Sequence, residues 1–198
     1  MHVVSSKPMP WYRRAYQPGG SFFFTVVTED RAPILCTDLA RRLLHESIDA
    51  CRRERPFSLD AIVLLPDHLH TIWTLVDGDP DFSGRWAAIK SCFTRAWLSG
   101  GGSEQPGSDS RHRQRRRGVW QRRFWEHALR DQEDLNRHLD YIHYNPVKHG
   151  MVTCPHAWPW SSFHRWVEEG AYDRTWQCVC HGPTKPPQFA DMPGGAGE

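Results

Sequence analysis

Apolar positions along this chain fall into two rhythms, and their alternation sets out the elements. Ser21 to Thr28 reads Phe-Phe-Phe-Thr-Val-Val with almost no polar interruption, which predicts a β-strand covered on both faces. After Thr37-Asp38 the period lengthens. Leu39, Leu43, Leu44 and Ile48 recur every three or four residues and predict a helix to about Arg55, with Arg41, Arg42, Arg52, Arg53 and Arg55 mostly on its solvated side. Phe57 to Leu65 and His68 to Val76 are strand-like again. The break between them, Pro66-Asp67, is so short that the two strands form an antiparallel hairpin. Asp77-Gly78-Asp79-Pro80 ends the second strand. Trp86, Ile89, Phe93 and Trp97 then mark a helix from about Phe82 to Leu98.

The pattern dissolves between residues 99 and 118, where glycines and polar residues lead into Arg111-His112-Arg113-Gln114-Arg115-Arg116-Arg117, a flexible loop with a basic tip. Val119 to Leu129 predicts a fourth strand in which aromatics and cations interleave. Asp131 to about Tyr144 predicts a helix with Leu135, Leu139 and Ile142 as its buried stripe. Asn145-Pro146 should end it, because a residue before proline disfavours helical backbone. A Pro/Trp stretch, Pro155 to Trp160, leads to a short helix around Ser162 to Glu168. The order β-α-β-β-α-β-α fits an α+β fold, a ferredoxin-like antiparallel sheet with helices packed on one face. The expected organisation is a basic and aromatic arm over 1–20, one domain over 21–170 with the Arg-rich insertion at 99–118, and a largely disordered tail over 171–198.

Composition sharpens this in two places. Of 25 basic residues only Lys7, Lys90, Lys148 and Lys185 are lysine, and the arginine fork suits phosphate and base stacking. Cys36, Cys51, Cys92, Cys154, Cys178 and Cys180 show no C-x-x-C spacing, and neither a secretory leader nor a membrane-length apolar run is visible, so reduced thiols are expected. Cys178-Val179-Cys180-His181 could bind zinc, but no second well-spaced cluster completes such a site.

The chemistry centres on Pro66-Asp67-His68-Leu69-His70. In a strand, His68 and His70 share one face and make half of a divalent-metal site. On a helical wheel, Tyr141 lies about 120° from the centre of the Leu135/Leu139/Ile142 stripe, on the flank of its helix. Asn145 follows one turn later, and His138 precedes by three residues. If that helix packs on the sheet, these groups can face the histidine pair. The set suits phosphodiester cleavage, with a metal polarising the phosphate and tyrosine attacking phosphorus. Each feature alone has a plainer reading. An H-x-H pair is commonly structural, a helical tyrosine is commonly packing, and Tyr144, the competing nucleophile, points toward solvent. His127 and His138 read as supporting groups rather than ligands.

Several stretches together resemble the REP-associated tyrosine transposases, a domesticated bacterial branch of the single-tyrosine HUH transposases. They are Tyr12-Arg13-Arg14 with Gly19-Gly20; Leu65-Pro66-Asp67-His68-Leu69-His70; Trp120-Gln121-Arg122-Arg123-Phe124-Trp125-Glu126-His127; Asp140-Tyr141-Ile142 with Asn145-Pro146-Val147-Lys148-His149-Gly150; and Trp158-Pro159 with Phe163-His164-Arg165. They run in family order over about 11–166.

The resemblance implies an HUH endonuclease fold that cleaves single-stranded DNA at REP-type palindromic hairpins, each preceded by a short tetranucleotide, and transfers strands through a covalent 5′-phosphotyrosine. It implies Tyr141 as nucleophile and His68, His70 and Asn145 as ligands of Mg²⁺ or Mn²⁺. Tyr12, Arg13, Arg14, Lys90, Arg122, Arg123, His127 and Lys148 are the expected DNA contacts. A cytoplasmic, nucleoid-associated protein with no membrane partner follows, acting as a monomer, although insertion-sequence relatives pair as dimers. The insertion at 99–117 is longer than the family's, and the tail after about Ala171 goes unmatched. The alternative is a catalytically inert hairpin-binding protein on the same fold. A weaker third is a hydrolase that uses His68 and His70 with an activated water and leaves no adduct.

Overall fold

The computed structural model describes residues 19–106 and 117–182. The elements are β1 (Ser21–Val27), α1 (Asp38–Glu54), β2 (Phe57–Leu64), β3 (His68–Leu75), α2 (Phe82–Ser99), β4 (Trp125–Ala128), α3 (Gln132–Lys148) and α4 (Phe163–Glu168). The strands form one antiparallel sheet in the order β2-β3-β1-β4. This is the expected α+β, ferredoxin-like arrangement, and the apolar β1 is an interior strand as its sequence requires.

The layering differs from a single helical face. Phe22, Phe24, Val26, Leu69, Trp73 and Leu75 point to the side covered by α1 and α2, where Trp73 stacks on Trp86 at 4.2 Å. Phe23, Val63 and Ile72 point the other way, into a second core closed by Leu139, Tyr141 and Ile142 of α3 and by Trp158. Strand alternation explains this. β1 and β3 are apolar on both sides, so both faces need cover, and α3 supplies the second.

Two element boundaries move. The fourth strand shrinks to Trp125–Ala128, while Trp120 makes an isolated bridge to Thr28. Arg122 and Arg123 between them are exposed, so the chain leaves the sheet where two adjacent cations would otherwise be drawn into it. α3 runs through Asn145-Pro146 to Lys148. Pro146 lies in the last turn, where the N–H it lacks is the only local loss. The carbonyls of Asn145 and Pro146 still accept from His149 and Met151.

The expected tail boundary at 171 falls within packed structure. Tyr172 donates to Asp140 at 2.6 Å, Trp176 meets Tyr144 and Phe163, and Cys178 is buried. The expectation of six reduced thiols is also revised, because Cys154 and Cys178 form a disulfide. Their separation of 24 residues hides a proximity that the returning C-terminal segment creates.

Among the described residues, no helix is long and apolar enough to cross a membrane. The arm residues Tyr12, Arg13 and Arg14, and Arg111 to Arg116 of the insertion, lie outside the described residues. The described base of the insertion is tied down. Trp97 donates to the Ser103 carbonyl at 2.7 Å, and Arg117 grips Glu104 with both carboxylate oxygens engaged.

Candidate active site

β3 lies between β1 and β2, and His70 is the residue opposite Thr25 on one side and Val63 on the other. The histidine pair therefore stands on an interior strand, at the end where β3 begins, with the two rings 5.0 Å apart. Both rings are held from behind. His70 Nδ1 is 2.9 Å from the Thr25 hydroxyl. His68 Nδ1 is 2.6 Å from Asp67, whose other oxygen accepts from Arg31 at 2.8 Å. Burial alone would raise the Asp67 carboxyl, but the His68 and Arg31 hydrogen bonds outweigh it and bring it down to about 2. A carboxylate bonded to one imidazole nitrogen fixes the ring and leaves the other nitrogen to ligate. Burial, with help from the cations around it, holds His70 well below the usual imidazole range, so it stays neutral, the form that binds metal.

α3 crosses this face of the sheet. Tyr141 lies edge-on to His70 at 5.1 Å and to Phe23 at 5.9 Å. It is only 3% exposed, so it is a buried residue rather than one on the helix flank. The helical wheel puts it on the flank because the aliphatic stripe of Leu135, Leu139 and Ile142 is only part of the buried face. The buried face also includes the polar series Asp134, His138, Tyr141 and Asn145. Lys148 donates to the Tyr141 hydroxyl at 3.3 Å, and its ammonium lies 4.8 Å from the ring centre. Asn145 is fully buried, and neither its amide oxygen nor its nitrogen has a hydrogen-bond partner. His68 Nε2 is likewise buried and unpartnered. Leaving such atoms unpaired is unfavourable, and a divalent cation would pair them. The donor types fit. Two imidazoles and an amide oxygen suit Mn²⁺, and Mg²⁺ less well, since it favours oxygen.

The remaining expected contacts divide. Lys90 donates to the Gln121 carbonyl at 3.0 Å and lies over the Phe124 ring. With Arg95, Arg117 and Arg122 it lines a groove of about 410 Å³ on the side of α2. Arg123 is exposed beside it. His127 is engaged elsewhere. It bonds Asp134 at 2.9 Å and stacks on His138 at 4.7 Å. Asp134 is also bonded by the Arg130 main chain and guanidinium, so this web anchors the start of α3. Despite its burial, these bonds hold the Asp134 carboxyl well below the usual range. Sequence reasoning passed over Asp67 and Thr25, which orient the histidines, and the D in the PDHLH stretch was the available signal.

A ferredoxin-like sheet with an H-x-H pair on a central strand, facing a helix-borne tyrosine, defines the HUH class of single-tyrosine transposases. A REP-associated tyrosine transposase of Escherichia coli strain K12 is 44% identical over 168 residues, covering 85% of this chain and 91% of that one. A protein of Haemophilus influenzae described as a putative member is 42% identical over 165 residues, 83% and 92% of the two chains. A solved structure described as this transposase bound to a REP hairpin superposes with a TM-score of 0.74 at 40% identity, covering 96% of this chain and 98% of that one. No family model matches. The chain belongs to the REP-associated tyrosine transposases.

Proposed function

We propose that the protein cleaves single-stranded DNA beside REP-type hairpins and transfers the strand, with Tyr141 as nucleophile. The similar hairpin-bound structure supports the substrate class. The observation that carries the chemistry is Tyr141 lying edge-on to His70, whose ring is 5.0 Å from that of His68; the buried, unpartnered Asn145 amide one helical turn after Tyr141 supports it.

His68, His70 and Asn145 would hold a divalent cation, Mg²⁺ or Mn²⁺, which when bound draws charge from the scissile phosphate. The Tyr141 oxygen attacks phosphorus, the bond to the 3′ oxygen breaks, and that oxygen leaves as a hydroxyl after taking a proton. The 5′-phosphate remains esterified to Tyr141, and a 3′-hydroxyl attacking the same phosphorus reverses the step and joins strands. Lys148 holds positive charge beside the Tyr141 oxygen, where negative charge develops as its proton is lost. Asp67 and Thr25 keep the two imidazoles aimed. Arg122, Arg123 and the Lys90 groove offer phosphate contacts that position DNA without reading its sequence.

The test is a denaturing gel of a labelled hairpin-bearing strand incubated with protein and Mn²⁺. A covalent adduct is expected with the wild type, none with Tyr141→Phe, and none with chelator. An adduct that persists in Tyr141→Phe removes the nucleophile assignment. Cleavage that ignores chelator removes the cation.

A further inference from the structure

Outside the site of the histidine pair, three cysteine sulfurs meet where two short segments cross, and a histidine touches one of them. One segment follows α3 and contributes Cys154 and His156. The other lies near the end of the described chain and contributes Cys178 and Cys180. A main-chain bond from Val179 to Thr153 at 2.9 Å lays one along the other. Cys154 and Cys178 are buried and paired as a disulfide. The Cys180 sulfur is 3.0 Å from that of Cys154, and the three sulfurs lie within 4.8 Å of one another. His156 Nδ1 is 3.6 Å from the Cys178 sulfur. A disulfide needs two of these groups and gives no reason for a third thiol and an imidazole to converge on it.

We propose that Cys154, Cys178, Cys180 and His156 form a structural zinc site, with the disulfide as its oxidised form. Three thiolates and one imidazole make a closed tetrahedral set of the kind structural zinc takes, delivered here by two arms, Cys-x-His and Cys-x-Cys. Zinc–sulfur bonds of about 2.3 Å in a tetrahedron separate the sulfurs by about 3.8 Å. Opening the disulfide gives the sulfurs that room.

The conversion balances. A dithiol or phosphine reductant supplies two electrons, and with two protons Cys154 and Cys178 become thiols. Zinc then displaces the three thiol protons and takes the neutral His156 nitrogen as its fourth ligand. The ion would tie the chain just after α3 to the C-terminal segment. That segment carries Tyr172 and Trp176, which pack against Asp140 and Tyr144 on the outer side of the helix bearing Tyr141.

The test uses the full chain, purified with a phosphine reductant and loaded with Co²⁺ in place of zinc. An intense near-ultraviolet thiolate-to-cobalt charge-transfer band is expected, which the imidazoles and amide of the His68 site cannot produce. About one zinc per chain should displace the cobalt and abolish the band. The band should persist in a His68→Ala/His70→Ala variant and disappear in Cys180→Ser. Absence of the band in the reduced wild type overturns the proposal whatever the folding of the variants. So does a Cys180→Ser protein that retains both the band and its zinc.

Discussion

Lys148 and Asp67 touch different members of the proposed site, Tyr141 and His68. Lys148 touches the Tyr141 oxygen, so its effect belongs to the attack step. Lys148→Met should slow adduct formation by about 100-fold while hairpin affinity falls less than about 10-fold, since one phosphate contact is a small part of binding. Single-turnover cleavage and a filter-binding titration separate the two, and equal losses would make Lys148 a binding residue only. Asp67 touches no reacting atom. It fixes the His68 ring, and Asp67→Asn removes the charge while keeping the shape. The Mn²⁺ concentration that half-activates cleavage should rise by about 10- to 100-fold. An unchanged Mn²⁺ requirement would show that the carboxylate serves only Arg31.

At the scale of elements, Arg85 fixes the start of α2. It is 1% exposed and donates to the carbonyls of Arg55, Pro56 and Asp81 and to the Asp79 carboxylate. This one side chain joins the end of α1, the entry to β2 and the turn after β3. Arg85→Leu leaves those acceptors unpaired and should destabilise the fold by about 3 kcal/mol, read from urea denaturation. A change under about 1 kcal/mol would mean that the loops re-pair with water. This role was not legible beforehand, because an arginine in an amphipathic helix reads as solvated. The same blindness governed α3. Its leucines were legible as a stripe, but half of its buried face is Asp134, His138, Tyr141 and Asn145, polar groups whose burial depends on partners in other elements. β1, the β2–β3 hairpin and α1 with its Thr37 cap were legible because their signals are local. The meeting of Cys154 with Cys178 was not, since only the returning C-terminal segment creates it.

For the whole molecule, the buried histidines set the response to acid. Burial holds His70 well below the usual range, His138 at about 4 and His143 at about 3. In the unfolded chain these groups take protons below about pH 6.5. Their folded values are depressed, so their stabilisation is complete above that pH and is lost as pH falls toward the folded values. Each can remove up to about 1.4 kcal/mol per pH unit across this window. Asp67, at about 2, adds its loss only below about pH 4. Melting temperature in metal-free buffer should therefore fall between pH 7 and pH 5, less steeply in His143→Gln. A flat profile over that range would contradict the burial of these rings as neutral groups. The position of β3 between two strands has a further consequence, visible in amide hydrogen exchange. The amides around His68 and His70 open only when the sheet does, so they should exchange at the slowest rate in the chain, with or without DNA. The amides of α3 from Tyr141 onward lie in a packed helix, outside the sheet's hydrogen-bond ladder. The change in exchange on adding a hairpin-bearing strand should appear there, so that one wall of the site is stationary and the other admits the phosphate.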